Sequence, residues 1–219
     1  MKILLAAVAA LAVLGGCATK TPTAEQLRRR PVNVVYKPEL LTAESAERSG
    51  MVSALLAIDK NGRITHTVWD SKLSPELVEE AKTHYRPPKT VRVYEKCEAG
   101  KCTPLESYSE QVIAFAVGAS KLSQKTEPRF KQLLPPYPLL SIENGEEGKS
   151  EICMVVDKDG SSSSPFVEKS SKSKRLDAAA RKATAEALKQ ASPPFVPAKM
   201  GGKPAAVVTC MPYDFKLYE

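Results

Sequence analysis

The sequence predicts an α+β fold of two tandem small units, each an antiparallel sheet with one helix packed on a face. Three observations predict it. First, Gly50 to Gly62 reads GMVSALLAIDKNG and Gly148 to Gly160 reads GKSEICMVVDKDG, an offset of 98 residues for the opening glycines (148 − 50) and for the aspartates (157 − 59). Second, both stretches alternate apolar residues and close in Asn61-Gly62 or Asp159-Gly160, the signature of a strand entering a hairpin turn. Third, each is followed by a polar segment, a serine, a helical pattern and a double proline: Ser74, Leu77 and Pro87-Pro88, then Ser173, Leu176 and Pro193-Pro194. Punctuation that recurs in order is the mark of an internal repeat.

Residues 1–17 read as an export signal. Lys2 is followed by an apolar run over residues 3–14, too short for a bilayer span of about 20 residues and suited to a signal-peptide core. Leu14-Gly15-Gly16-Cys17 resembles a bacterial lipobox, which implies that Cys17 is lipidated. Ala18 then stands where an inner-membrane retention signal would place Asp. The resemblance therefore implies an outer-membrane lipoprotein facing the periplasm, held by several acyl chains because one binds only marginally. Residues 18–30, ending in Arg28-Arg29-Arg30, read as a polar tether with a reach of at most ~50 Å.

In the first unit, residues 31–127, Val52, Ala54, Leu56 and Ile58 share one face of a strand. Ser74 is a suitable N-cap and Pro75 suits the first helical position, where its missing N–H costs nothing. Leu77, Val78, Ala81 and Tyr85 then line one helical face, and Pro87-Pro88 stops the helix.

The second unit, residues 128–219, repeats the plan. Ile152, Met154 and Val156 face one side of its first strand and Cys153 and Val155 the other. The Ser161–Ser164 run is poor strand material, so the next strand is expected to be short and to start at Phe166-Val167. Leu176, Ala179, Ala180, Ala183, Ala187, Leu188 and Ala191 form a stripe of small residues that lets a helix lie close to a sheet. Asp177 near the helix start and Lys189 near its end suit the helix dipole.

The order of elements in residues 135–217 resembles the C-terminal domain of TonB, the periplasmic end of the energy transducers that serve outer-membrane transporters. The residues that carry it are Pro136-Tyr137-Pro138, Val156-Asp157 before Gly160, Ser170-Ser171, Leu176-Asp177, Phe195-Val196-Pro197 and Gly202-Lys203-Pro204. In that family the domain offers a strand edge to a short peptide of a transporter plug, and main-chain hydrogen bonds supply the affinity. The resemblance implies a partner-binding edge in the last strand, at Val207, Val208, Thr209 and Cys210. Pro212 interrupts that strand, which an edge tolerates and a central strand does not. TonB proper also carries a spanning helix and a long Pro-rich linker. Neither is found here, so direct coupling to an inner-membrane motor is not expected.

Cysteines other than Cys17 are Cys97, Cys102, Cys153 and Cys210. An even number in an exported chain favours disulfides, and three pairings are open. Cys97 and Cys102 flank a tight turn with a glycine in it. The TonB arrangement makes the strands of Cys153 and Cys210 neighbours, which implies Cys97–Cys102 and Cys153–Cys210 over pairings that would staple the two units together.

No catalytic constellation is found. His66 and His84 are the only histidines, and neither sits in a G-x-S-x-G or zinc-helix context. Asp157-Lys158-Asp159-Gly160 begins like a calcium loop but departs from its spacing. Cys97-x4-Cys102 would supply half a zinc site, a pattern better accounted for by a disulfide. Neither a cofactor nor a metal is expected. The formal charge of +7 and pI of 9.1 come from basic residues spread along the chain rather than interleaved with aromatics, which argues for an anionic envelope surface over nucleic acid. The expected function is non-catalytic binding of envelope proteins or peptides, accessory to TonB-dependent transport. The alternative is a structural or assembly lipoprotein of the envelope.

Overall fold

The computed structural model describes residues 21–86, 88 and 91–217. Cys17 and the export signal lie outside the described residues. The fold is mixed α+β.

Part of the stretch expected to be tether is folded. Thr23 opens helix α1 (Ala24–Arg28) with a capping box in which its hydroxyl accepts from the Gln26 amide and the Gln26 side chain accepts from the Thr23 amide. The helix buries Leu27 completely. Strands β1 (Val32–Val35), β2 (Glu39–Thr42), β3 (Gly50–Ile58) and β4 (Ile64–Ser71) follow, then α2 (Pro75–His84). A hairpin of β5 (Tyr94–Glu98) and β6 (Lys101–Leu105) leads into β7 (Ser107–Ala116). In the first sheet, β7 pairs antiparallel with β3, and β3 with β4. The antiparallel core carries an addition the sequence did not suggest: β1 and β2 both run parallel to β7 on its other side. Pro38, which has no N–H, falls in the break between them, and the Gln111 side chain donates to the Lys37 carbonyl there.

The second unit contains β8 (Glu127–Pro128), α3 (Leu139–Glu143), β9 (Gly148–Val156), β10 (Phe166–Lys169) and α4 (Lys174–Leu188). It ends with β11 (Phe195–Val196), β12 (Ala198–Met200), β13 (Lys203–Ala205) and β14 (Val207–Phe215). Its main sheet has the order β10-β9-β14, all antiparallel. This matches the order β4-β3-β7 in the first unit, and Gly50 opposite Phe115 corresponds to Gly148 opposite Phe215. Both turns close alike: the Gly62 amide donates to the Asp59 carbonyl at 3.1 Å and the Gly160 amide to the Asp157 carbonyl at 3.0 Å. At Gly160 the backbone is left-handed, and a Cβ there would lie 2.2 Å from the Phe195 carbonyl oxygen, so only glycine fits. β10 is short and begins at Phe166, after the serine run.

Each sheet buries one face under a helix. Leu77 and Ala81 of α2 pack on Val52, Ile113 and Phe115. Leu176 and Ala180 of α4 pack on Ile152, Tyr213 and Phe215. The opposite faces meet each other: Met51, Val112 and Ala114 of the first sheet contact Val155 of the second. The layers therefore run helix, sheet, sheet, helix. On that second face Leu55 and Ala57 of β3 lie under Leu27 of α1 and Val155 of β9 lies under the first sheet, so both strands are apolar on both faces, the pattern of a strand covered on two sides. Ala205 joins the core under α2, and ion pairs Lys37–Glu168, Lys72–Asp159 and Lys203–Glu47 rim the junction. Exposed ion pairs of this kind contribute little each. The apolar contacts carry the junction.

These pairs nevertheless set an acid limit. Burial pushes the Asp159 carboxyl up, but the Lys72 ammonium and Ser161 outweigh it and hold it at about 2, against an ordinary 3.8. The Lys203 ammonium holds Glu47 at about 2, against 4.5. A carboxylate whose folded pKa is depressed stabilises the fold fully above its unfolded value and loses that contribution as pH falls through the folded one. These two pairs are therefore expected to lose their small contribution to the thermal unfolding midpoint as pH falls from about 4.5 to about 2, while the Asp157 carboxyl, which burial pushes up, acts in the opposite direction. A decline across that window as steep in the Lys72→Ala, Lys203→Ala double variant as in the wild type contradicts the assignment.

Candidate functional site

Strand β14 is an edge of the second sheet and, among the described residues, pairs with a strand on one side only, β9. Which of its backbone groups are free follows from the pairing. The Val155 amide donates to the Ser163 hydroxyl and its carbonyl accepts from the Ser163 amide. Val155 therefore turns its hydrogen-bonding groups away from β14, and its partner Val208 turns its own outward. In an antiparallel ladder such pairs alternate with mutually bonded ones. Ala206, Val208, Cys210, Pro212 and Asp214 thus direct N–H and C=O groups to the open side, while Val207, Thr209, Met211 and Tyr213 direct theirs to β9. The 4.0 Å Cα separation of the paired Cys153 and Cys210 agrees with the closer, non-bonded kind of pair.

Of the four residues expected at the edge, Val208 and Cys210 are available and Val207 and Thr209 are not. The period of a strand forces this split, and pairing phase could not be read from the sequence.

The open stretch is bounded at both ends. The Ala206 amide donates to the Ser49 hydroxyl at 2.9 Å and its carbonyl accepts from the Val117 amide at 2.8 Å. At the other end Pro212 has no N–H, and its carbonyl accepts from the Gln132 side chain at 3.1 Å. Between these stops lie the amides and carbonyls of Val208 and Cys210.

A buried polar cluster holds the sheet to its helix. Asp177 accepts from the hydroxyls of Ser150, Ser170 and Ser171 and from the Ser171 amide. Burial pushes its carboxyl up, but these four bonds prevail and hold it below the ordinary range. Its place in the first turn of α4 suggested a dipole role, whereas its partners come from β9 and the preceding loop. Ser150 gave no sequence signal, because it lies 27 residues away. Both within-unit disulfides are formed, Cys97–Cys102 across the β5–β6 hairpin and Cys153–Cys210 across β9 and β14.

A groove of about 790 Å³ is lined by residues that include Asp159, Ser161 to Ser164, Lys189 and the prolines after α4. No histidine or cysteine is in that lining. His66 lies on β4 and His84 at the end of α2, and neither imidazole has a hydrogen-bond partner among the described residues. Among those residues no group of three or more His, Cys, Asp or Glu could hold a metal ion. No helix among them is long and apolar enough to cross a membrane.

A small α+β module, with a helix across one face of its sheet and an edge strand paired on its inner side alone among the described residues, is what residues 134–217 define. The same residues match the family model for the Gram-negative bacterial TonB protein C-terminal. The match marks this part of the chain as a TonB-like domain and points to a bacterial envelope protein. A comparison with curated proteins returned no match.

Proposed function

We propose that this chain is a periplasm-facing outer-membrane lipoprotein that binds envelope proteins or peptides without catalysis, as an accessory to TonB-dependent transport. The observation that carries the reading is the open stretch of β14 at Val208 and Cys210, in a domain similar to the TonB C-terminal domain. A partner strand laid along it gains main-chain hydrogen bonds, so few side chains need to be special. The shared order and register of the two main sheets support descent of both units from one duplicated module. In this reading the first copy has no free counterpart of the β14 edge, because β1 and β2 occupy the outer side of β7.

The test is capture from envelope extracts by the wild-type chain and by Val208→Pro in parallel. A transporter plug retained by the first and lost by the second supports the reading. Retention by both contradicts it. Anchoring has its own test: Cys17→Ser is expected to leave an unacylated precursor and release the protein from outer-membrane fractions, and unchanged retention with lipid label contradicts the anchor.

A second reading, a structural or assembly lipoprotein, is favoured by one observation. Leu133, Leu134, Leu139, Leu140 and Ile142 are all exposed, Leu134 at 90%. Bulky apolar residues clustered on a surface favour a stable protein contact. Leu134→Asp abolishing capture while Val208→Pro leaves it intact would select this reading over the first.

A further inference from the structure

Beside the open stretch of β14 lies a groove of about 340 Å³ whose walls come from both units. Leu40 and Leu41 of β2, with Ala116, Val117 and Ala119 at the end of β7, form one side, and Val208 forms the other. The volume is at the low end for binding pockets, suited to one or two side chains rather than a cofactor. Leu40 is 41% exposed and Val208 36% exposed; two bulky apolar side chains thus face solvent across one small depression. Val208 lies on the face of β14 away from α4. A strand added at the edge alternates its own side chains in step with the sheet. Its residue beside Val208 on that face therefore enters the groove, and the next residue turns toward the α4 side.

We infer that the first unit gives the β14 edge its sequence preference, by seating one aliphatic or aromatic side chain of an extended partner segment between Leu40 and Val208. This rests on the strand-addition reading and adds the chemistry of the partner to it. The stops at Ala206 and Pro212 make the paired stretch short, leaving the amides and carbonyls of Val208 and Cys210 for main-chain pairing. So short a ladder gives little affinity by itself, since each bond contributes only about 1 kcal/mol net. An apolar anchor supplies what the ladder lacks. Leu40 comes from β2, so an isolated second unit has the edge without this wall.

The probe is a displayed library of linear peptides, selected against the full chain as wild type, Leu40→Glu and Val208→Pro. Leu40 is a surface residue, and far-UV circular dichroism checks that each variant folds. Wild-type selection is expected to enrich peptides with one position restricted to bulky apolar residues. Leu40→Glu is expected to weaken those peptides roughly tenfold or more, the scale of burying one aliphatic side chain, and to lose the restriction. Leu40→Ala is expected to retain it while shifting preference to larger residues. Enriched peptides that need the Val208 amide but show no apolar position, or ignore Leu40→Glu, overturn this inference and leave strand addition standing. Peptides bound equally by Val208→Pro, or no enrichment at all, overturn both.

Discussion

Val208→Pro is expected to abolish partner binding while the domain stays folded. The amide of Val208 points to the open side of β14, since Val155 opposite spends its own groups on Ser163. Proline at that position removes no hydrogen bond inside the sheet. Pro212 already occupies an equivalent outward position in the same strand, so the backbone there accepts the constraint. For a partner strand the consequences are larger. It loses a donor, its own carbonyl is left without a partner at a cost of about 1–3 kcal/mol, and the ring obstructs its approach. These combine to more than tenfold, and against so short a ladder they remove detectable binding. Val208→Thr keeps the amide and the branched shape but puts a hydroxyl at the groove wall, and is expected to weaken binding far less than Val208→Pro. Equal losses from the two variants would mean that the side chain, not the backbone, is recognised.

The second large effect is on stability. Cys153–Cys210 closes a loop with a sequence separation of 57, and Cys97–Cys102 one of 5. On the chain-entropy argument the first stabilises by about 4 kcal/mol and the second by about 2 kcal/mol, both upper estimates. Context widens the gap. Cys153 is fully buried, whereas the β5–β6 hairpin is exposed on both strands. Cys210→Ser is therefore expected to lower the denaturation midpoint clearly more than Cys102→Ser, measured by thermal or urea unfolding under oxidising conditions. A larger loss from Cys102→Ser contradicts the assignment of β9 and β14 as the pair that holds the second unit together.

What the sequence disclosed and what it hid follow physical lines. Local signals were legible: the Asn61-Gly62 and Asp159-Gly160 turns, the late start of β10 after four serines, and the small-residue stripe of α4. Each depends on neighbours a few residues apart. Pro212 marked an edge because proline cannot donate to a ladder. Helix α1 was missed although Thr23-x-x-Gln26 is a capping-box pattern, because five residues give too little periodicity to stand out. The packing of the two sheets was half legible. Leu55 and Ala57, and Cys153 and Val155, make β3 and β9 apolar on both faces, a sign of double coverage, but nothing local says what covers them. The parallel pairing of β1 and β2 with β7, the Ser150–Asp177 contact and the Leu40–Val208 groove join residues far apart in the chain. Sequence pattern does not encode such distances. The outward phase of Val208 and Cys210, on which the candidate site rests, depends on hydrogen bonds made by Val155 on the far side of β9.

Amide hydrogen exchange along β14, with partner absent and bound, tests the central claim most directly. Strand addition predicts fast exchange at Val208 and Cys210 in the free chain, beside slow exchange at Val207, Thr209 and Met211, whose amides pair with β9. Binding is predicted to slow Val208 and Cys210 strongly and to leave the other three slow as before. Unchanged exchange at Val208 and Cys210 with the partner bound would contradict the account.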